Sequence, residues 1–132
     1  ANAGFSSCQP EKLYIPVDPD ENRPTVEDAL AGRNDLYNEV KKLIAIRKEH
    51  QALQSTAPME FVYVKKASYP LVYKRIGKEE TVYIILNPSG EEVSFSADIP
   101  ENGQVIYSNH GAASCVNGIW TVPAASATYL QV

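Results

Sequence analysis

Hydrophobic and polar positions change their period once along this chain. Between Asp35 and Leu53 (DLYNEVKKLIAIRKEHQAL) they repeat as on a helix, and from Glu60 onward they alternate as on strands. At 3.6 residues per turn, Leu36, Val40, Leu43 and Ile44 follow the i, i+4, i+7, i+8 pattern of a buried face. Tyr37 and Ile46 widen that face and Leu53 extends it past the end, while Asn38, Lys41, Lys42, Lys48 and Glu49 lie opposite. The apolar arc spans roughly half the circumference, against the ~100° of an ordinary surface helix. Such a helix is expected to have neighbours on more than one side. Arg47 falls near the middle of the arc and reads as a structural anchor between layers rather than a catalytic group. Asn34 or Asp35 is the expected N-cap, and the end is expected near Ala52, before the turn cluster Ser55-Thr56-Ala57-Pro58.

Beyond that turn the chain reads as strands. Glu60–Lys65 (EFVYVK) and Tyr69–Ile76 (YPLVYKRI) are β-branched and aromatic, and Pro70 suits the start of an edge strand. Glu80–Asn87 (ETVYIILN) is nearly continuously apolar and is expected at the centre of a sheet. Glu92–Ala97, Gln104–Tyr107 and Ala127–Val132 add three short strands. Asn117-Gly118, between Ser114-Cys115-Val116 and Ile119-Trp120-Thr121-Val122, is the strongest hairpin signal. About eight short strands at regular spacing predict a mainly β chain: an antiparallel sandwich preceded by an irregular head and one long amphipathic helix.

The head, residues 1–31, is punctuated by Pro10, Pro16, Pro19 and Pro24 and cannot form a long helix. Leu13-Tyr14-Ile15 reads as a short extended piece, and Thr25–Asp28 as a capping box opening a short helix that stops at Gly32. The acidic run Asp18–Asn22 fails the EF-hand spacing, because Arg23 takes the glycine position and Ala29 that of the bidentate glutamate. It reads as a solvated acidic turn.

Composition narrows the function classes. A chain of 132 residues, 44% hydrophobic and 21% charged, is in the globular range and long enough to bury a core. A net charge of −4 gives no basic footprint for nucleic acid. No apolar run approaches the ~20 residues that span a bilayer, so no membrane partner is expected. Cys8 and Cys115, far apart in sequence, favour two free thiols over a bridge; compartment stays open, with the cytoplasm slightly favoured over secretion. The opening at Ala1 rather than Met is that expected of a processed or excised chain. His50 and His110 are isolated, so neither a metal nor any other cofactor is expected. No nucleophile elbow, phosphate loop or dinucleotide fingerprint is present. Glu79-Glu80 and Glu91-Glu92 are adjacent pairs whose members point to opposite strand faces, so neither supplies the two facing carboxyls of a glycosidase. No catalytic residue is therefore assigned. The tyrosines of the tail and Trp120 read first as core or cross-strand packing, with Tyr69 and Tyr73 as a candidate sugar-stacking ledge on one strand.

Several runs, in order, resemble the C-terminal part of α-amylase-family glycosidases (glycoside hydrolase family 13), most closely the α-glucosidase and oligo-1,6-glucosidase branch. They are Asn2–Ser6, Leu13–Val17, Thr25–Glu27, Lys42–Lys48 and Ala52-Leu53, then Tyr73–Arg75, Leu86–Ser89 and Pro123–Leu130. Gln51 departs from the family, which commonly has proline after the histidine. The resemblance implies that residues 1–54 are the last loop and last helix of a catalytic (β/α)8 barrel and residues 55–132 a C-terminal β-sandwich. It implies that the barrel's nucleophile, acid/base and second aspartate lie upstream, leaving this piece non-catalytic. Asn2 and Phe5 would be substrate contacts in that context only. The implied partners are the barrel and an α-glucan or oligosaccharide, and a second copy could pair through the 35–53 helix. An autonomous carbohydrate-binding module and a general interaction sandwich are the rival readings.

Overall fold

The structure, a computed structural model, describes residues 1–33 and 35–132. Asn34 lies outside the described residues, as does the side chain of Asp35, so the N-cap expectation falls there. The chain divides into two compact units, Ala1–Ile44 and Ala45–Val132.

In the first unit, single 3₁₀ turns form at Asn2–Gly4 and Pro10–Lys12. Helix α1 (Val26–Leu30) starts on the expected capping box: Asp28 N–H donates to the Thr25 hydroxyl, and Thr25 N–H donates to the Asp28 carboxyl. Leu13–Ile15 forms no strand. Helix α2 spans Asp35–Glu49, and its residues up to Ile44 belong to this unit. Its end corrects the expectation: α-helix stops at Glu49, and a separate 3₁₀ turn follows at Gln51–Leu53. The apolar arc is buried only toward its C-terminal end, where Ile46 is buried and Leu43 half-buried; its remaining positions are not the buried face expected of them. Leu36 is 70% exposed, Val40 45% and Ile44 49%. The apolar side chains of the head supply little cover, since Phe5, Tyr14, Ile15 and Leu30 are themselves exposed.

The second unit is the sandwich. Strands β1 (Met59–Tyr63), β2 (Leu71–Ile76), β3 (Thr81–Asn87), β5 (Gln104–Asn109) and β8 (Ser126–Gln131) form an antiparallel sheet in the order β1-β2-β3-β8-β5. Strands β4 (Val93–Phe95), β6 (Ser114–Val116) and β7 (Ile119–Val122) form a second sheet, β4-β7-β6. The continuously apolar β3 is central, as its composition predicts. Strand β2 is interior rather than an edge, because Pro70 precedes it and so costs no ladder bond. The true edges, β1 and β5, both carry bulges. At the β6–β7 hairpin, Asn117 (φ 52°) and Gly118 (φ 76°) both take positive φ, as a type I′ turn requires.

The five-stranded sheet is apolar on both faces. Its inner face sends Val72, Ile85 and Leu130 against Phe95, Trp120 and Val122 of the smaller sheet. Its outer face sends Val82 and Ile84 against Ala52, with Leu53, Tyr73, Leu86 and Tyr129 alongside. Two polar anchors hold these layers. Asn87, fully buried, donates to the carbonyls of Glu91 and Pro123 and accepts from the Ser89 amide and hydroxyl. Glu80 accepts from Ala52 N–H (2.9 Å) and Gln131 Nε2 (2.9 Å) and lies 2.8 Å from His50 Nδ1. It thus pins the 50–53 turn to the start of β3 and the end of β8. His50 is therefore not isolated.

Burial pushes the Glu80 carboxyl up, but the bonds from His50 and Ala52 and the charge of His50 outweigh it, so its pKa is lowered. Its contribution to stability is present above the unfolded carboxyl pKa and is lost as pH falls through the lowered one. Glu80→Ala should destabilise the second unit by about 1–3 kcal/mol at neutral pH. The difference from wild type should shrink in acid, as measured by denaturant unfolding across pH.

Candidate functional site

The two residues named from sequence, Asn2 and Phe5, meet at one cleft of the first unit. Its volume is about 370 Å³, and Leu13, Ile15 and Arg23 also line it. The loop that builds it holds three successive residues at positive φ: Asn2 (47°), Ala3 (55°) and Gly4 (89°). Gly4 is required there, because an added Cβ would lie 2.7 Å from Val26 Cβ. The Asn2 amide is committed to its own loop: Nδ2 donates to the Cys8 carbonyl at 2.9 Å, while the Ser6 hydroxyl sits 3.0 Å from Cys8 Sγ. Phe5 is 84% exposed. Arg23 donates through Nη1 to the Asp20 carbonyl, and its buried Nε has no acceptor among the described residues. The cleft is a mainly apolar recess that also holds Asp18 and the under-satisfied guanidinium of Arg23, and its asparagine shapes the loop.

Several acidic side chains serve as connectors. The Thr25 hydroxyl, then Arg33, holds the Asp28 carboxyl below the usual carboxylate range, and Arg33 forms a salt bridge with it. Glu60 pairs with Lys74 at 3.0 Å, which raises the lysine's pKa, and Glu101 accepts from Gly118 N–H. Among the described residues no three His, Cys, Asp or Glu side chains gather as a metal site would require. No described helix is long and apolar enough to cross a membrane. Arg47, expected between layers, is exposed, as are Leu36, Val40 and Ile44 of the arc it lies in.

The aromatic readings divide. Trp120 is 2% exposed and packs in the core, and Tyr63 packs on Phe95 with ring centroids 5.0 Å apart. Tyr69 and Tyr73 do not share a strand, because β2 begins at Leu71 after the cis Tyr69–Pro70 peptide. Tyr73 turns to the outer cluster, while Tyr69 stays exposed beside a second recess of about 370 Å³. Sequence reading missed this recess, since Leu71, Leu86, Asn109 and Ala127 converge only through strand pairing.

No family model matches the chain. It is 31% identical over 108 residues to a glucan 1,6-alpha-glucosidase of Streptococcus dysgalactiae subsp. equisimilis, covering 82% of this chain and 19% of that protein. It is 33% identical over 87 residues to a cyclomaltodextrinase of Geobacillus thermopakistaniensis, covering 66% of this chain and 15% of that one. Among solved structures it resembles the trehalulose synthase MutB with a TM-score of 0.72 at 22% identity, over 100% of this chain and 24% of that one. The chain thus spans less than a fifth of the length of these curated relatives.

Replacing Gly4 by alanine should open the loop by the clash with Val26. Faster amide hydrogen exchange over residues 26–31 would report it, at a cost of about 1–3 kcal/mol. Unchanged exchange would show that the loop does not depend on that contact.

Proposed function

Because this chain belongs to the α-amylase family (glycoside hydrolase family 13), as its C-terminal region, we propose that it is the closing module of a retaining glycosidase acting on α-glucosidic bonds. The observation that carries the reading is the arc of α2. Leu36, Tyr37, Val40 and Ile44 are all exposed and line one shallow apolar recess. Burying a Val, Leu or Ile side chain contributes about 1.5–3 kcal/mol, so a helix whose own unit leaves several uncovered is shaped for a further surface. In this reading α2 is the last helix of the catalytic barrel and the arc packs on its neighbouring strands and helices. The barrel supplies the carboxyl pair that forms and hydrolyses the glycosyl intermediate. The sandwich covers the barrel and steadies it. Asn2 and Phe5 border the substrate cleft, with Asn2 holding the loop and Phe5 offering the contact.

An aryl α-glucoside assay tests this. The 132-residue chain should show no turnover, whereas the product of the full reading frame should hydrolyse the substrate. Val40→Asp with Ile44→Asp in that product should lower its stability by about 2–5 kcal/mol, the cost of uncompensated charge at a buried apolar contact. Turnover by the chain alone, or no loss from the double substitution, would sink the reading.

A further inference from the structure

The recess beside Tyr69 belongs to the second unit and takes no part in the module's proposed docking through α2. It lies where β2 begins and β3 ends, at the far end of both strands from the 50–53 turn that Glu80 holds. Its volume of about 370 Å³ falls within the range of small-molecule sites, ~300–1,000 Å³. Leu71, Leu86, Pro88 and Ala127 give it an apolar floor, and Tyr69, 47% exposed, gives it an aromatic wall. No charged side chain lines it among the described residues.

One polar group is set there in a fixed orientation. The Asn109 Oδ1 accepts from Ala127 N–H at 2.6 Å, which orients the amide and leaves its Nδ2 hydrogens with no acceptor among the described residues. Asn87 also borders the recess, but its amide is spent on Glu91, Pro123 and Ser89 and offers nothing to a ligand. A ligand for this recess needs an apolar face to lie on a tyrosine ring and acceptor oxygens at its edge for one amide donor. It carries no charge. A pyranose has that combination: C–H groups on its face and hydroxyls around its rim.

We propose that the Tyr69–Asn109 recess is a saccharide-binding site on the sandwich, which takes a short α-linked gluco-oligosaccharide. The choice of glucose units rests on the glycosidase reading above; the recess itself does not.

Titration of the ¹⁵N-labelled chain with isomaltotriose and, separately, maltotriose tests the proposal. Saturable amide shifts are expected at Tyr69, Leu86, Asn109 and Ala127, with one sugar or both. Tyr69→Ala should weaken binding roughly tenfold, the worth of a stacked ring. Tyr69→Phe should retain most of it, and Tyr14→Ala, in the exposed head, should change nothing; an unaltered spectrum away from the recess certifies each variant's fold. Absence of saturable shifts, shifts confined to other surfaces, or binding indifferent to Tyr69→Ala would overturn the site. Those failures leave the glycosidase reading intact, because it is judged by turnover of the full reading frame. Binding at Tyr69 beside a full-length product without turnover would do the reverse.

Discussion

A five-stranded sheet that is apolar on both faces cannot stand alone in water, and much of the second unit follows from that constraint. The inner face is covered by the small β4-β7-β6 sheet, whose Phe95, Trp120 and Val122 close a core with Val72, Ile85 and Leu130. The outer face is covered in part by the 3₁₀ turn after α2, where Ala52 is fully buried on Val82 and Ile84. A single short turn would be a weak lid by its area alone. Three hydrogen-bonding groups converging on the Glu80 carboxylate make it a fixed one, tying the turn to the first residue before β3 and to the last strand.

The same argument applied to α2 gives the opposite result. Over Leu36, Tyr37, Val40 and Ile44 its apolar arc has the composition of a buried surface and the exposure of a solvated one. A sequence shaped to one structure is consistent across levels, and a conflict between pattern and exposure marks where function or missing context intervenes. The chain matches only 15–19% of the length of its curated relatives, and under the proposed reading the arc meets the rest of such a protein.

The sandwich was largely legible in the residues. Period-two alternation, the Asn117-Gly118 turn and the apolar run of β3 are local signals, and each became the element it implied. What failed was whatever depends on partners distant in sequence. Pro70 looked like an edge residue because nothing local reveals that β1 pairs beyond β2. His50 looked isolated because Glu80 is thirty residues away, and nothing local marks Asn87, the last residue of an apolar strand, as a buried hub. The Tyr69 recess combines residues from β2, β3, β5 and β8 and has no sequence signature at all. Of the two residues assigned from family likeness, Asn2 and Phe5 do share a cleft, but the asparagine's amide is occupied by the loop it shapes.

The central claim is that the arc of α2 is an internal surface of a larger enzyme. Residue-level carbene footprinting of the isolated chain and of the full reading-frame product measures it directly. Val40 and Ile44 should label readily in the chain and be protected in the longer protein, while Tyr14, exposed in the head, serves as an internal reference. Equal labelling of Val40 and Ile44 in both proteins would contradict the account.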